Sequence, residues 1–265
     1  MYNEDFSDIS FDRRKPKPRK SGLTVMIDRN LGIHSQEDLI TLSGDFVDIA
    51  KIMVGISAII PKNVLKKKID TYHSNDILAF PGGQFLELMF SEQQVDNYFK
   101  DVANAGFRLV EVSDNRIDIT TQEKGDLIKT AIEKYGLKVL GETGSKRVSS
   151  DIRLLIKDIK NCLNSGAWKV MFEAAELFEN GIFKQDVIET LTKEMSLNDI
   201  IFELPGPWIP QIKISDIYTL ISWLIQNLGS EVNIANVSPE DILCLEAERV
   251  NLGPHMRFTP KRNQS

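Results

Sequence analysis

The sequence is poor in the residues that most metal and disulfide sites use. It has two cysteines and three histidines among 265 residues. Cys162 and Cys244 lie in different predicted helices without the close spacing of metal ligands, and His34, His73 and His255 share no predicted strand end. These patterns argue against a disulfide scaffold and against a histidine-rich metal centre, and they favour two reduced thiols.

The sequence also lacks an excess of basic charge and any long apolar run. Lys and Arg number 32 against 38 Asp and Glu, which gives a formal net charge of −6 and argues against general nucleic-acid binding. No apolar stretch reaches the roughly 18 residues of a membrane span, and the polar amino terminus does not resemble a signal peptide. We expect a soluble, cytoplasmic protein that binds neither nucleic acid nor membrane.

Basic charge is concentrated in one short segment near the amino terminus. Residues 13–20 read Arg-Arg-Lys-Pro-Lys-Pro-Arg-Lys, and the prolines disfavour both helix and strand. We interpret residues 1–20 as a mobile basic arm, with polyanion binding as the alternative, and residues 259–265 as a flexible tail. Residues 21–258 then form a single domain.

The strongest pattern is a unit of roughly thirty residues that returns eight times, in which an apolar run ending in a polar residue precedes a helix-like stretch. Such alternation predicts parallel strands joined by crossover helices, and eight units predict an α/β fold of the (β/α)8 TIM-barrel type, typically about 250 residues long. The eight runs are Leu23 to Asp28, Phe46 to Lys51, Ile77 to Gly82, Leu109 to Asp114, Lys138 to Glu142, Lys169 to Glu173, Asp199 to Glu203 and Val232 to Asn236.

Helix start and stop signals lie between these runs. Pro61 opens a helical stretch from Lys62 to Asn75. Glycine follows four other helical stretches shortly before the next strand, where a left-handed residue commonly ends a helix. These residues are Gly106, Gly136, Gly166 and Gly229.

Polar residues at the strand ends indicate an active site, because a TIM barrel carries its active site at the carboxyl ends of its strands. Carboxylates that converge there repel one another unless a cation or protons intervene. Glu111, Asp114, Glu142 and Glu173 therefore suggest a hard divalent metal such as magnesium. The alternative is that they form structural ion pairs with Lys51, Lys146 or Arg116.

Three loops after the strands offer further candidates, each with a structural alternative. Gly82 and Gly83 allow a backbone to approach a ligand closely, although tight turns also use glycine. Lys146, on a short loop after Glu142, can act as a general acid or bind an anion. Trp208, which stands between prolines, can cover a ligand or pack against a neighbouring loop or subunit.

Taken in order, the strand-end motifs resemble those of the phosphosulfolactate synthase family, from about Lys17 to Phe258. The motifs include Gly44-Asp45-Phe46-Val47-Asp48 with Lys51, Pro81-Gly82-Gly83 with Glu87, Val110-Glu111-Val112-Ser113-Asp114, Glu142-Thr143-Gly144-Ser145-Lys146, Glu173 with Glu176, Phe202-Glu203-Leu204-Pro205, Val232-Asn233-Ile234-Ala235-Asn236 and Leu245-Glu246 with Arg249.

The resemblance implies a Mg²⁺-dependent carbon–sulfur lyase or synthase that self-associates. Such an enzyme adds sulfite to phosphoenolpyruvate through an enolate (aci-carboxylate) intermediate and gives phosphosulfolactate, a step toward coenzyme M. By the same resemblance, Lys146 donates a proton, Lys51 and Glu142 are catalytic, and Glu111, Glu142 and Glu173 bind the metal. The implied substrate-binding residues are Asp28, Gly82, Gly83, Ser113, Asp114, Asn236 and Arg249.

The chain departs from the family pattern at several loops. Residues 53–57 are apolar where the family has a polar segment, Ala175 replaces an arginine, and residues 251–253 lack another. Either Arg29, Arg116 or Arg147 supplies the missing charge, or the chain is a divergent paralogue that uses another nucleophile or enol acid. A third hypothesis is a non-catalytic relative of the heat-stress-associated type.

Overall fold

The computed structural model describes residues 2, 5, 11, 13–144, 150–179, 182–206, 209 and 212–253. Its strands are β1 (Thr24–Asp28), β2 (Ile49–Ile52), β3 (Leu78–Pro81), β4 (Leu109–Val112), β5 (Lys138–Thr143), β6 (Lys169–Phe172), β7 (Phe178–Glu179), β8 (Ile182–Phe183), β9 (Ile200–Glu203) and β10 (Ile234–Val237). Its α-helices are α1 (Ile33–Ser43), α2 (Ile56–Ile59), α3 (Lys62–Ser74), α4 (Gly83–Ser91), α5 (Val95–Ala105), α6 (Thr121–Tyr135), α7 (Ile152–Asn164), α8 (Gln185–Glu194), α9 (Ile214–Leu228) and α10 (Ile242–Arg249). Over these described ranges, no helix has the length and apolar character needed to span a bilayer.

Eight of the strands form one parallel sheet in the order β3-β2-β1-β10-β9-β6-β5-β4. The two end strands, β3 and β4, also pack side by side, so the sheet is a nearly closed barrel. Parallel neighbours need long crossover connections, which the surrounding helices supply. Strands β7 and β8 form a separate antiparallel pair after β6. The predicted (β/α)8 fold is confirmed.

Six of the predicted apolar runs overlap their strands closely, and two are displaced. The run predicted from Phe46 begins instead with a short 3₁₀ helix over Gly44–Phe46, and β2 starts at Ile49. The last run was expected from Val232, whereas β10 starts at Ile234. Phe46 and Val232 are buried in the core without being strand residues. An apolar run therefore marks burial rather than the point where sheet hydrogen bonding begins.

Side chains inside the barrel alternate with side chains that face the helices, as the pleat of a strand requires. The inner apolar cluster includes Ile49, Leu109, Leu140, Met171 and Ile201. Each of these five apolar residues is followed, two positions later and on the same inner side, by a charged residue. These charged residues are Lys51, Glu111, Glu142, Glu173 and Glu203. The interior is thus apolar in its middle and charged at its carboxyl end.

The amino end of the barrel is covered by residues 13–20, which pack against it. Arg14 is buried, donating to Glu246 and to the carbonyl of Gly22. Lys17 Nζ donates to the carbonyl of Val47 at 3.1 Å, and Arg19 Nη1 lies 3.0 Å from Asp48 Oδ1. Carbonyls and carboxylates at this end of the barrel thus bind basic side chains of residues 13–20, whereas most of residues 1–12 of the expected mobile arm lie outside the described residues. The tail predicted at residues 259–265 lies outside the described residues.

Candidate active site

Four charged side chains meet inside the barrel at the carboxyl ends of its strands. Lys51 Nζ donates to Glu111 Oε1 at 3.0 Å and to Glu203 Oε1 at 3.3 Å. Glu111, Glu142 and Glu203 each offer a carboxylate oxygen within 4.8 Å of the other two. We refer to Lys51, Glu111, Glu142 and Glu203 as the acid cluster. It lies where TIM barrels carry their active sites.

Burial controls the charge state of the acid cluster. Burial alone would lower the pKa of Lys51, but the carboxylates of Glu111 and Glu203 raise it well above its ordinary value, so the amine stays charged. Burial raises the pKa of Glu111 well above its ordinary value, which Lys51 opposes and the neighbouring Glu142 reinforces. Three carboxylates face a single ammonium among these four side chains. Carboxylate oxygens are the ligands that hard divalent cations prefer, and the three glutamates can hold a metal ion.

Glu111 is fixed by the amino terminus of helix α4 as well as by Lys51. The backbone N–H of Gly83 donates to Glu111 Oε2 at 2.7 Å. A Cβ at position 83 would lie 2.5 Å from Ser113 Oγ and 2.9 Å from Glu111 Cγ. The site therefore requires glycine here, because any side chain would push the carboxylate away from the backbone donor.

Glu142 has a different partner, which the sequence did not reveal. Asn115 Nδ2 donates to Glu142 Oε1 at 2.6 Å, and Asn115 is only 4% exposed. Glu87, in helix α4, accepts hydrogen bonds from the Ser113 hydroxyl and from two backbone N–H groups of the same loop. Glu87 appeared only within a family motif, and nothing in the spacing of Asn115 marked it as a site residue.

The predicted metal ligands were Glu111, Glu142 and Glu173, and the structure groups the first two with Glu203 instead. Glu173 is buried at the end of β6, and its Oε1 accepts from the backbone N–H of Ala175 at 3.2 Å. Glu203 follows Ile201 by two residues on the inner side of β9. That alternation in the sequence was the signal that could have identified Glu203.

Asp28 lies at the end of β1 but points outward, away from the acid cluster. Its Oδ2 is 2.8 Å from Lys68 Nζ and accepts from the Tyr72 hydroxyl at 2.6 Å, while Oδ1 accepts from the backbone N–H of Leu31 at 3.0 Å. These partners lie on helix α3 and on the loop after β1. Asp28 therefore joins a strand to a helix, and the structure does not place it with the predicted substrate-binding residues.

Ser113 and Asp114 lie near the acid cluster but are not part of it. Ser113 donates its hydroxyl hydrogen to Glu87. Asp114 pairs with Lys124 at 2.9 Å, and Lys124 Nζ also donates to the backbone carbonyl of Glu142 at 2.6 Å. Both predicted residues therefore support the strand ends on which the cluster stands.

Gly82 and Asn236 both lie at the mouth of the barrel. A Cβ on Gly82 would be 3.1 Å from the backbone nitrogen of Val54 and 3.5 Å from Lys51 Cε. Asn236 adopts a positive φ of 61°, and its Nδ2 donates to the carbonyl of Leu204 at 3.3 Å. These positions are compatible with the ligand-binding role expected for both residues.

Arg249 lies at the opposite end of the barrel from the acid cluster. Its Nη1 donates to the carbonyl of Val232 at 2.7 Å and to that of Ser230, both of which precede β10. Each crossover helix returns the chain to the amino end of the barrel, and Arg249 occupies the last turn of α10. The expected substrate-binding role of Arg249 is therefore corrected to a structural one.

Lys146, the expected proton donor, lies outside the described residues, as does Trp208. The described chain reaches Gly144, which has a positive φ of 114° directly after β5. A Cβ on Gly144 would lie 2.7 Å from Glu173 Cβ. The loop that carries Lys146 therefore starts close to Glu173.

The sequence matches known proteins over nearly its whole length. The sequence model of (2R)-phospho-3-sulfolactate synthase matches residues 12–254. The chain belongs to this family. It is 33% identical over 251 residues to the phosphosulfolactate synthase of Methanothermobacter thermautotrophicus, covering 90% of this chain and 92% of that protein. It is also 33% identical to the phosphosulfolactate synthase of Methanocaldococcus jannaschii, covering 87% of this chain and 92% of that protein.

Solved structures resemble this member of the phosphosulfolactate synthase family in fold. A truncated 3-deoxy-D-arabino-heptulosonate 7-phosphate synthase from Thermotoga maritima superposes with a TM-score of 0.54, covering 85% of this chain and 84% of that chain. The two sequences are 13% identical, so the likeness concerns the barrel alone. Membership of the phosphosulfolactate synthase family confirms that the chain is an enzyme.

Proposed function

We propose that this enzyme adds sulfite to phosphoenolpyruvate in the presence of Mg²⁺ and releases phosphosulfolactate. The observation that carries the proposal is the acid cluster. A family member with three buried glutamates and one lysine at the carboxyl end of its barrel has the charge arrangement that such a reaction needs. The curated relatives that match over most of the chain bear the name of this activity.

The acid cluster fits a divalent cation by charge and by ligand type. Three carboxylates and one ammonium leave two formal negative charges, which one Mg²⁺ would neutralise. Glu111, Glu142 and Glu203 would hold the ion through hard oxygen ligands. A bound Mg²⁺ acts as a Lewis acid that lowers the energy of negative charge developing on a substrate carboxylate.

The reaction forms one carbon–sulfur bond and one carbon–hydrogen bond, with no leaving group. The sulfite sulfur donates its lone pair to the methylene carbon of phosphoenolpyruvate. The π electrons of the C=C bond move toward the carboxylate and give the enolate (aci-carboxylate) form. A proton then adds to the carbon that carries the phosphate.

The residues divide this work between charge neutralisation and proton transfer. Lys51 stays protonated in its buried position, so it can neutralise the carboxylate of phosphoenolpyruvate or the incoming sulfite. Glu142 would help to hold the metal beside Lys51. Lys146, which is outside the described residues, is proposed as the proton donor on the strength of the family resemblance.

The test mixes the purified enzyme with phosphoenolpyruvate, sulfite and Mg²⁺ and follows the loss of enol absorbance. We expect turnover that requires all three additions and that Lys146→Ala and Lys51→Met abolish. Lys66→Met is the matched control, because Lys66 is an exposed lysine paired with Asp70 on helix α3. Mg²⁺ binding without turnover would refute the proposed substrates and favour another nucleophile or enol acid. Absence of turnover, of Mg²⁺ binding and of anion binding would refute the proposed function altogether.

A further inference from the structure

Glu87 is a buried carboxylate that holds the loop following β4. It is 2% exposed, and it accepts from the Ser113 hydroxyl, from the backbone N–H of Asn115 at 3.2 Å and from the backbone N–H of Arg116 at 2.9 Å. All three donors belong to one short loop. Over the ranges that the structure describes, no lysine or arginine side chain forms an ion pair with Glu87. Its partners therefore assign it to fixing the shape of that loop.

Asn115 extends from this loop to the acid cluster. Its Nδ2 donates to Glu142 Oε1 at 2.6 Å. An ionised carboxylate only accepts hydrogen bonds, so the amide nitrogen must face Glu142 and Oδ1 must be turned away from it. Asn115 Oδ1 is buried and has no hydrogen-bond partner among the described residues. A buried acceptor in that state is rare in folded proteins and marks a place for water or a ligand.

We propose that Glu87 and Asn115 are positioning residues that orient Glu142 for metal binding. The inference rests on the metal site of the proposed function and not on the identity of the nucleophile. Glu142 reaches the cluster from β5, whereas Glu87 stands on α4 and Asn115 after β4. Through these contacts, Glu87 on α4 fixes the loop after β4, and Asn115 of that loop orients Glu142 on the neighbouring strand β5. Removing a group that hydrogen-bonds to a metal ligand and so orients it typically weakens metal affinity about 10- to 100-fold.

The test is calorimetric titration of the full chain with Mn²⁺, a spectroscopically useful substitute for Mg²⁺, alongside thermal unfolding. Asn115→Ala should weaken Mn²⁺ binding about 10- to 100-fold, because Glu142 loses the amide donor that Asn115 supplies. Glu87→Gln keeps the side-chain size but offers one acceptor oxygen instead of two, and should weaken binding about tenfold. In the double variant the two effects should overlap, so that Glu87→Gln adds about twofold or less to Asn115→Ala.

Asp48→Asn is the matched control, because Asp48 is also a buried carboxylate but lies at the amino end of the barrel, paired with Arg19. It should change the thermal midpoint without changing Mn²⁺ affinity. If Glu87→Gln fails to fold, Asn115→Ala alone decides. Native Mn²⁺ affinity in Asn115→Ala, additive effects in the double variant, or absence of Mn²⁺ binding by the native enzyme would each overturn the inference. Native Mn²⁺ binding without sulfite-dependent turnover would refute the proposed function and leave the inference standing.

Discussion

Replacing Lys51 by methionine removes the one ammonium of the acid cluster and leaves the carboxylates buried together. At 3.0 Å and 3.3 Å, each of its two contacts is worth about 5 kcal/mol by Coulomb's law with an effective dielectric constant of about 20. The substitution also removes the cost of burying the ammonium, which offsets part of this sum. We therefore expect the free energy of unfolding to fall by about 3–5 kcal/mol, the usual effect of deleting one partner of a buried ion pair.

The loss should grow with pH. The pKa of Glu111 in the folded enzyme is raised, so the native state keeps a proton that the unfolded chain has already released. Stability therefore falls as pH rises from the ordinary glutamate value toward the folded one. Lys51 opposes this shift, and its removal raises the pKa of Glu111 further and widens that pH range. The variant should recover part of its stability as the pH is lowered through that range.

Urea unfolding at about pH 5 and about pH 8, with a chelator present, measures both effects. Lys66→Met is the control, since its pair with Asp70 is exposed and should contribute less than about 1 kcal/mol. A loss below about 1 kcal/mol in Lys51→Met that is equal at the two pH values would refute the electrostatic account of the acid cluster.

Three further substitutions test other parts of the structure. Gly83→Ala should destabilise the fold by about 1–3 kcal/mol in urea unfolding, because the new Cβ would lie 2.5 Å from Ser113 Oγ. The same substitution should lower turnover, and unchanged turnover would contradict this prediction. By calorimetry, Glu203→Gln should weaken Mn²⁺ binding about tenfold or more, whereas Glu173→Gln should change it by less than about threefold. A larger loss of Mn²⁺ affinity in Glu173→Gln than in Glu203→Gln would restore Glu173 as the ligand. Arg14→Ala should lower stability by about 3–5 kcal/mol in urea without changing Mn²⁺ affinity, since it removes a buried ion-pair partner at the far end of the barrel. A stability change below about 1 kcal/mol would show that this ion pair contributes little to the fold.

The barrel could be predicted from the sequence because its signals are local and repeated. Apolar runs of strand length, helix starts such as Pro61 and helix-ending glycines such as Gly106 recur along the chain. Two members of the acid cluster were also predicted as metal ligands, Glu111 and Glu142, since carboxylates at parallel strand ends meet at one edge. Lys51 was predicted at the same place.

The remaining site residues could not be identified from the strand ends alone, because their roles depend on which way each side chain points. Asp28 occupies a strand end, but the pleat turns it outward to Lys68. Arg249 lies in the last turn of α10, and crossover helices end at the amino face of a barrel, away from the acid cluster. Counting alternate residues from the inner apolar layer would have corrected Asp28 and added Glu203, although the same count also keeps Glu173.

The contacts of residues 13–20 could not be predicted from the sequence for a different reason. A basic run interrupted by prolines has the same composition whether it is solvated or bound. Arg19 binds Asp48, 29 residues away, and the partner of Arg14 is farther still. Such pairings arise from the closure of the barrel and leave no local pattern.

The ion pair between Arg14 and Glu246 joins residues 232 positions apart in the chain. During synthesis, Arg14 is made long before α10, so this ion pair cannot form until α10 has been made. Joining such distant residues carries a large loop-closure entropy, which is overcome only when the intervening strands have already paired. Docking of Arg14 is thus a late event in folding, and truncation within α10 should leave Arg14 without its carboxylate partner.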